Sequence, residues 1–211
     1  MTATAALLLA LTLVVAVADW MAVGTDKRPA EYVLKPLTMV VLIAATLAID
    51  PVDNAMKVVF IAALAFSLAG DVFLMLPRNL FVAGLASFLV GHICYIAGLQ
   101  LRGQYGLWFV VGLVIVVLAV GTIGLRIIRA VRRSDEPAMA VPVTAYVAVI
   151  SFMLASAFGT RNLFAIVGAG LFYASDALIA WGRFVDPKPW GRVAVMVTYH
   201  LGQIGLVLSL V

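Results

Sequence analysis

Residues 55–76 read AMKVVFIAALAFSLAGDVFLML, a continuously apolar stretch with Lys57 near its start and Asp71 near its end. A helix needs about 20 predominantly apolar residues to cross a bilayer. The stretch is long enough to do so, and its unbroken apolar run differs from a barrel strand, in which apolar and polar residues alternate. It therefore predicts a membrane-spanning helix that carries an acidic group inside the membrane.

The rest of the chain has the same character. Of its 211 residues, 65% are hydrophobic and 11% are charged, whereas a soluble domain has about 25% charged residues. We predict an all-α, polytopic membrane helical bundle of eight transmembrane helices, forming a single integral membrane domain over residues 1–211. The predicted spans are Ala5–Val23, Leu34–Ile49, Ala55–Leu76, Leu80–Leu101, Leu107–Leu125, Ala138–Phe158, Leu163–Trp181 and Val193–Val211.

Two features near the N-terminus lead to separate expectations. The segment Ala16-Val17-Ala18 resembles a signal-peptide cleavage site, but no Lys or Arg precedes the first span. We therefore expect this span to be retained in the membrane. Pro36 is expected in the first turn of the second helix, where its missing N–H leaves no hydrogen bond unmade.

The basic residues predict the topology. The even-numbered connections carry only Lys57, Arg102 and Arg161, and the odd-numbered ones carry Lys27, Arg28, Lys35, Arg78, Arg126, Arg129, Arg132, Arg133, Arg183, Lys188 and Arg192. The positive-inside rule then places the odd-numbered connections in the cytoplasm and both termini outside. Because no organelle signal is visible, the cell (inner) membrane is the expected location. We interpret the cluster Arg126–Arg133 as a contact for membrane lipids and expect no nucleic-acid partner.

A short internal similarity suggests a repeat. Leu68–Asp71 in the third span resembles Tyr173–Asp176 in the seventh, and a histidine follows one span later in each case, His92 and then His200. We therefore predict that spans one to four and five to eight form two parallel four-helix repeats.

Ionisable residues inside the spans are the candidates for function. An Asp at the centre of a spanning helix costs roughly 2.5–3.5 kcal/mol on insertion scales, so Asp71 and Asp176 are difficult to explain as structure alone. The predicted topology places six such groups in the cytoplasmic half of the bilayer, which indicates one shared polar cavity: Asp19, Lys35, Asp71, His92, Asp176 and His200.

Structural interpretations of the same residues remain open. Asp19 lies near a helix end and can extend to the interface, and Lys35 can act as an interfacial anchor or bind a lipid phosphate. The two histidines, His92 and His200, can serve as interhelical hydrogen-bonding groups.

Helical spacing adds neighbours to these groups. Ser67 lies four residues before Asp71, and Tyr173 lies three residues before Asp176, so each pair can share a helix face. Ser175 precedes Asp176 directly. Two further stripes are expected on the later helices, formed by Phe88, His92 and Tyr95 in the fourth span and by His200 and Gln203 in the eighth.

These residues also carry a resemblance to a known family. The segment Gly70–Met75, followed by Gly91-His92 and Tyr95, resembles the YhhN family, whose animal members are lysoplasmalogenases. Similar motifs are Lys35-Pro36-Leu37-Thr38, Gly168–Phe172 with Ser175-Asp176, and Tyr199-His200 with Gln203. The resemblance runs from the second span to the end of the chain in the family's order. It implies a multispanning enzyme that hydrolyses the sn-1 vinyl ether of a lysoplasmalogen, with a lysophospholipid substrate.

We expect catalysis by acid. Asp71 and Asp176 are the predicted catalytic pair, sharing one proton in a common cavity, with one as the acid and the other stabilising the cation and activating water. The resemblance and the spacing assign substrate binding or proton transfer to Lys35, His92, Tyr95, Tyr173, Ser175, His200, Gln203 and Asp19. No cofactor is expected, and a metal is disfavoured because the two histidines lie on different spans. The oligomeric state is left open.

Three other classes remain as alternatives. An intramembrane aspartyl protease also uses two aspartates on separate spans, but its Gly-rich and Tyr-Asp patterns are missing around Asp71 and Asp176. A proton-coupled transporter of small molecules or lipids also contains buried carboxyl groups and repeats. A structural or interaction protein would leave both carboxyl groups unexplained.

Overall fold

The computed structural model describes residues 1–77 and 80–211, and within them it contains eight helices that are long and apolar enough to cross a membrane. No β-strand occurs in this part of the chain, so the predicted all-α membrane bundle is confirmed. Arg78, one of the basic residues used for the topology, lies outside the described residues. The helices are α1 (Ala3–Gly24), α2 (Arg28–Ala48), α3 (Asn54–Met75), α4 (Phe81–Leu101), α5 (Gly106–Arg133), α6 (Pro137–Gly159), α7 (Leu163–Phe184) and α8 (Gly191–Leu208).

Three of the helices begin at a polar capping residue. The side chains of Thr2, Asp53 and Asn162 each accept a hydrogen bond from a backbone N–H in the first turn of α1, α3 and α7, respectively. Such caps satisfy N–H groups that have no partner within the helix. We call the end of the bundle that carries the odd-numbered, basic connections the basic end. All three capping residues lie at the opposite end.

The second helix begins earlier than predicted. It starts at Arg28, with Pro29 in its first turn, so Pro36 lies inside the helix and not at its start. The expectation for Pro36 was therefore wrong, because Pro29 already occupies the position that tolerates a missing N–H. Lys35 consequently lies well inside α2 and is 5% exposed.

The fifth helix extends past its predicted end at Leu125 and includes the whole cluster Arg126–Arg133. Its last turns are amphipathic: Ile127 and Val131 pack against Met139 and Val143 of α6, and the four arginines of the cluster are exposed. A single π-helical turn over Val120–Gly124 separates these last turns from the rest of α5.

Helices adjacent in the sequence pack as antiparallel hairpins: α1 with α2, α3 with α4, α5 with α6, and α7 with α8. The first half of the chain consists of α1 to α4 and the second half of α5 to α8. Helix α2 also contacts α3 in the first half, and α6 contacts α7 in the second. The two halves meet mainly where α1 contacts α8 and where α4 contacts α6. This recurring arrangement agrees with the proposed repeat, which itself stays a prediction.

The connections at the basic end are tied together by ion pairs. Arg192 at the start of α8 binds Asp26 at 2.8 Å and Glu31 at 2.6 Å. The hydrogen bond from Arg192 holds the pKa of Asp26 below its usual range. These contacts join α8 to the α1–α2 hairpin at one end of the bundle.

Glycines allow α7 and α8 to approach closely. A Cβ atom on Gly168 would lie 2.6 Å from the backbone nitrogen of Leu206, and one on Gly205 would lie 2.8 Å from the Gly168 Cα. Small residues at such crossings let helix backbones pack in direct contact, which is a principal source of stability in membranes.

We predict that Gly168→Ala destabilises the protein by about 1–3 kcal/mol, because the added methyl group must push two backbones apart. Thermal unfolding of the purified protein in detergent measures the effect. Gly170→Ala is the matched control, since a Cβ atom there meets nothing within 4 Å. Equal melting temperatures for the two variants would contradict this account of the α7–α8 interface.

Candidate active site

Asp71 forms a buried ion pair with Lys35. The Lys35 Nζ lies 3.0 Å from the Asp71 Oδ1, and the Tyr199 hydroxyl donates a hydrogen bond of 2.6 Å to the Oδ2. Asp71 is 1% exposed. Helices α2, α3 and α8 therefore meet at this carboxylate. The pairing shows that Lys35 is not the interfacial anchor considered above, because its ammonium group is buried within the bundle and not at its surface.

Asp176 is held by two different helices. The Tyr146 hydroxyl of α6 donates a hydrogen bond of 2.5 Å to the Asp176 Oδ2, and the His92 Nε2 of α4 lies 3.1 Å from the same oxygen. His92 Nε2 is also 2.8 Å from the Tyr146 hydroxyl, so the three groups form a closed triangle. Among the residues that the structure describes, the Asp176 Oδ1 has only a long contact of 3.4 Å from the Ser175 hydroxyl, which donates its better hydrogen bond to the Phe172 carbonyl.

The two carboxyl groups have separate partners. Between them lies a cluster of aromatic rings, in which Phe172 packs against His92 with ring centroids 4.7 Å apart and against Tyr199 at 5.3 Å. The closest partners of each carboxyl group are side chains of other helices. The shared proton between Asp71 and Asp176 stays a prediction. The two sets of polar groups are neighbours joined by Phe172.

The arrangement is similar in the two halves of the chain. Each aspartate takes one partner from the preceding helix of its own half, Lys35 for Asp71 and Tyr146 for Asp176. Each takes its other partner from the last helix of the opposite half, Tyr199 for Asp71 and His92 for Asp176.

Two further polar contacts lie along α8, next to the polar groups that surround Asp71. The Tyr95 hydroxyl donates a hydrogen bond to the Gln203 side-chain oxygen. The Trp20 Nε1 donates to the His200 Nδ1 at 3.0 Å, which leaves the hydrogen of neutral His200 on its Nε2. His200 and Gln203 therefore bind different helices, α1 and α4, respectively.

Asp19 is completely buried, at 0% exposure. The interpretation that it extends to the interface was wrong, because α1 packs this face against other helices. Neither of its carboxyl oxygens has a hydrogen-bond partner among the described residues, and the same holds for the His200 Nε2, the Gln203 Nε2 and the Ser67 hydroxyl.

An apolar cavity opens beside Asp176. It has a volume of about 720 Å³, its open mouth included, and is bounded by α3, α4, α5, α6 and α7. Asp176, Tyr146 and Tyr173 are its polar wall, and Phe88, Ile123 and Phe184 are among its apolar residues. Asp71 does not line it. A long hydrocarbon chain fits the character of this space, with Asp176 beside it.

Sequence reasoning missed Tyr146 and Trp20. Tyr146 lies mid-way along an otherwise apolar helix, where a buried phenol needs a hydrogen-bond partner, and this was the available signal. Tyr199 was noticed only as part of a motif. Within residues 1–77 and 80–211, no three His, Cys, Asp or Glu residues are grouped as metal ligands.

Comparison with known proteins finds relatives and a family for this chain. The chain is similar to lysoplasmalogenase TMEM86B of Homo sapiens, with 33% identity over 148 residues, covering 70% of this chain and 61% of the relative. It is also similar to lysoplasmalogenase of Mycobacterium tuberculosis, with 31% identity over 179 residues, covering 79% of this chain and 65% of the relative. The match thus spans less than two thirds of either relative's length, and no solved structure matches the chain. The YhhN family model matches residues 30–210, and the chain belongs to the YhhN family.

Proposed function

We propose that this multi-pass membrane protein is a hydrolase that cleaves the sn-1 vinyl ether of lysoplasmalogens. Its products would be a fatty aldehyde and glycerophosphoethanolamine or glycerophosphocholine. The observation that carries the proposal is the position of Asp176, which is held by Tyr146 and His92 at the wall of an apolar cavity. The names of the relatives in the same family support the choice of substrate.

Vinyl ethers react with water under acid catalysis. A proton adds to the alkene carbon farther from the ether oxygen, and the adjacent carbon becomes an oxocarbenium ion. Water adds to that carbon and loses a proton, which gives a hemiacetal. The hemiacetal then collapses to an aldehyde and the glycerol hydroxyl, so one water is consumed and the catalyst regains its proton. The enzyme needs a carboxylic acid beside the alkene and negative charge near the cation.

Asp176 is our candidate for the acid. Its Oδ2 is held by Tyr146 and His92, whereas its Oδ1 has only the long Ser175 contact and is the better placed oxygen for proton transfer. His92 lies within reach to return a proton to the carboxyl group after each turnover. Tyr146 and Tyr173 share the cavity wall with Asp176 and position the substrate.

Asp71 is our candidate for the second carboxylate. It does not line the cavity, so it would act on the cation through the apolar interior, where charges interact strongly. Its Tyr199 partner packs on Phe88, which forms part of the cavity wall. Lys35, His200, Gln203, Tyr95 and Asp19 would support this carboxylate and its surroundings as positioning residues.

The location in the membrane is part of the same proposal. The basic end carries most of the Lys and Arg residues, which supports a cytoplasmic position for that end and an external position for both termini. The cell (inner) membrane is the proposed location.

Asp176→Asn is expected to lower kcat by about 100-fold or more, because the amide cannot supply the proton. The measurement is aldehyde release from a lysoplasmalogen by detergent-solubilised protein, with an ordinary ester lysophospholipid as the negative substrate. Transport needs sealed vesicles, so this assay separates hydrolysis from transport. Asp50→Asn, at an exposed position, is the control. Full activity of the folded Asp176→Asn protein would refute the mechanism.

Tyr146→Phe is expected to lower kcat roughly tenfold, because it removes a hydrogen bond that stabilises the Asp176 carboxylate formed as the proton leaves. Tyr105→Phe, on a tyrosine that is 56% exposed, should retain the original rate. Steady-state kinetics on the lysoplasmalogen measure both. A change confined to KM would show that Tyr146 contacts the substrate without acting on Asp176.

Lys35→Met should destabilise the protein by roughly 3–5 kcal/mol, because the Asp71 charge stays buried without its partner. Lys27→Met, at an exposed position, is the matched control for melting temperature. In the double variant Lys35→Met/Asp71→Asn, most of the stability should return while hydrolysis stays lost. Recovery of full hydrolysis in the double variant would mean that Asp71 is required only for folding.

A further inference from the structure

A second groove lies beside the apolar cavity, at the basic end of the bundle. We call it the basic groove and define it by Arg126 of α5, Trp181 of α7, and Asp186, Lys188 and Trp190 of the connection to α8. Its volume is about 980 Å³, its open mouth included. Nothing in the mechanism above uses these residues.

The basic groove adjoins the cavity that Asp176 faces. Ile123 of α5 and Ala177 of α7 line both spaces, so they form a partition between them. The groove also reaches Ala174, which lies two residues from Asp176 along α7. From Ala174 to Trp181 the helix rises about 10 Å, at 1.5 Å per residue. The groove therefore leads from the end of the bundle to the depth of the proposed acid.

The partition coincides with the irregular turn of α5. Ile123 belongs to the π-helical turn Val120–Gly124. Such single turns occur mostly inside α-helices and often at functional sites, because they change the direction in which a side chain points. Here the turn places Ile123 between the groove and the cavity.

The chemistry of the basic groove suits a zwitterion. Arg126 and Lys188 are cationic, Asp186 is anionic, and two indole rings, from Trp181 and Trp190, are typical of the membrane interface. Lys188 pairs with Asp186, but the two side chains are 45% and 54% exposed. Exposed ion pairs contribute little to stability, so a zwitterion can replace this pair by binding both of its charges. Within residues 1–77 and 80–211, Arg126 forms no salt bridge, whereas Arg183 binds Glu136 and Arg192 binds Asp26 and Glu31. A cation that is exposed and not paired in this part of the chain is available to an anionic group.

We infer that the basic groove binds the headgroup of the lysophospholipid, with its phosphate on Arg126 and Lys188 and its amine on Asp186. The hydrocarbon chain then passes between Ile123 and Ala177 into the apolar cavity, and the sn-1 linkage lies at Asp176. This inference rests on the proposed function for the identity of the substrate. It also gives the phosphate a site other than Lys35, whose ammonium group is buried against Asp71, whereas the Lys188–Asp186 pair is exposed.

Binding of two uncleavable lipids tests the inference. The first is a saturated 1-O-alkyl lysophospholipid with a choline headgroup, and the second is the matching 1-O-alkylglycerol, which lacks phosphate and amine. The purified protein is placed in nanodiscs of neutral lipid, and binding is followed by tryptophan fluorescence. Arg126→Gln/Lys188→Gln should weaken binding of the lysophospholipid tenfold or more and leave binding of the alkylglycerol unchanged.

Arg129→Gln/Arg133→Gln is the matched control. It removes the same charge from the same end of the bundle, at residues that do not line the basic groove, and should bind both lipids like the original protein. An equal loss in the control, an equal loss for both lipids, or no loss at all would overturn the inference. Because neither lipid is cleaved, these results stand whether or not the protein releases aldehyde, so failure of this inference and failure of the proposed function are distinguishable.

Discussion

The ion pair between Lys35 and Asp71 is the interaction on which much of the bundle depends. Inside a membrane, a charge without a partner has no water to stabilise it, so it must be paired by another helix. At 3.0 Å, this pair fixes α2 against α3, and the Tyr199 hydroxyl adds α8 to the same carboxylate. The helices at this point cannot move independently without separating buried charges.

The second aspartate obeys the same constraint with different chemistry. Asp176 is bound by a phenol and an imidazole, whereas Asp71 is bound by an ammonium group and a phenol. A carboxyl group surrounded by hydroxyl and imidazole groups is suited to exchanging a proton, whereas one paired with an ammonium group is suited to remaining charged. The two similar halves of the chain therefore give two carboxyl groups with different environments, which is the usual basis for dividing acid and base roles.

The cavity and the basic groove lie on one side of this site, next to Asp176. The apolar cavity borders Asp176 and not Asp71, and the groove adjoins it at the end of the bundle where the arginines lie. The cavity walls are apolar with Asp176 at one position, and the adjoining groove carries the cations Arg126 and Lys188. Close glycine contacts between α7 and α8 keep the helix that carries Asp176 in place.

Eight spans, the family and the residues whose burial needs an explanation could all be predicted from the amino-acid sequence. Apolar length and the cost of charge in lipid act locally, and so they are visible in segments such as residues 55–76. The partners of the buried groups became known from the folded structure, in which Lys35 binds Asp71, Tyr146 and His92 bind Asp176, and Trp20 binds His200. These contacts depend on the rotation and depth of helices distant in the chain. Side-chain packing between helices sets this rotation and depth, and the pattern of residues within one segment does not predict them.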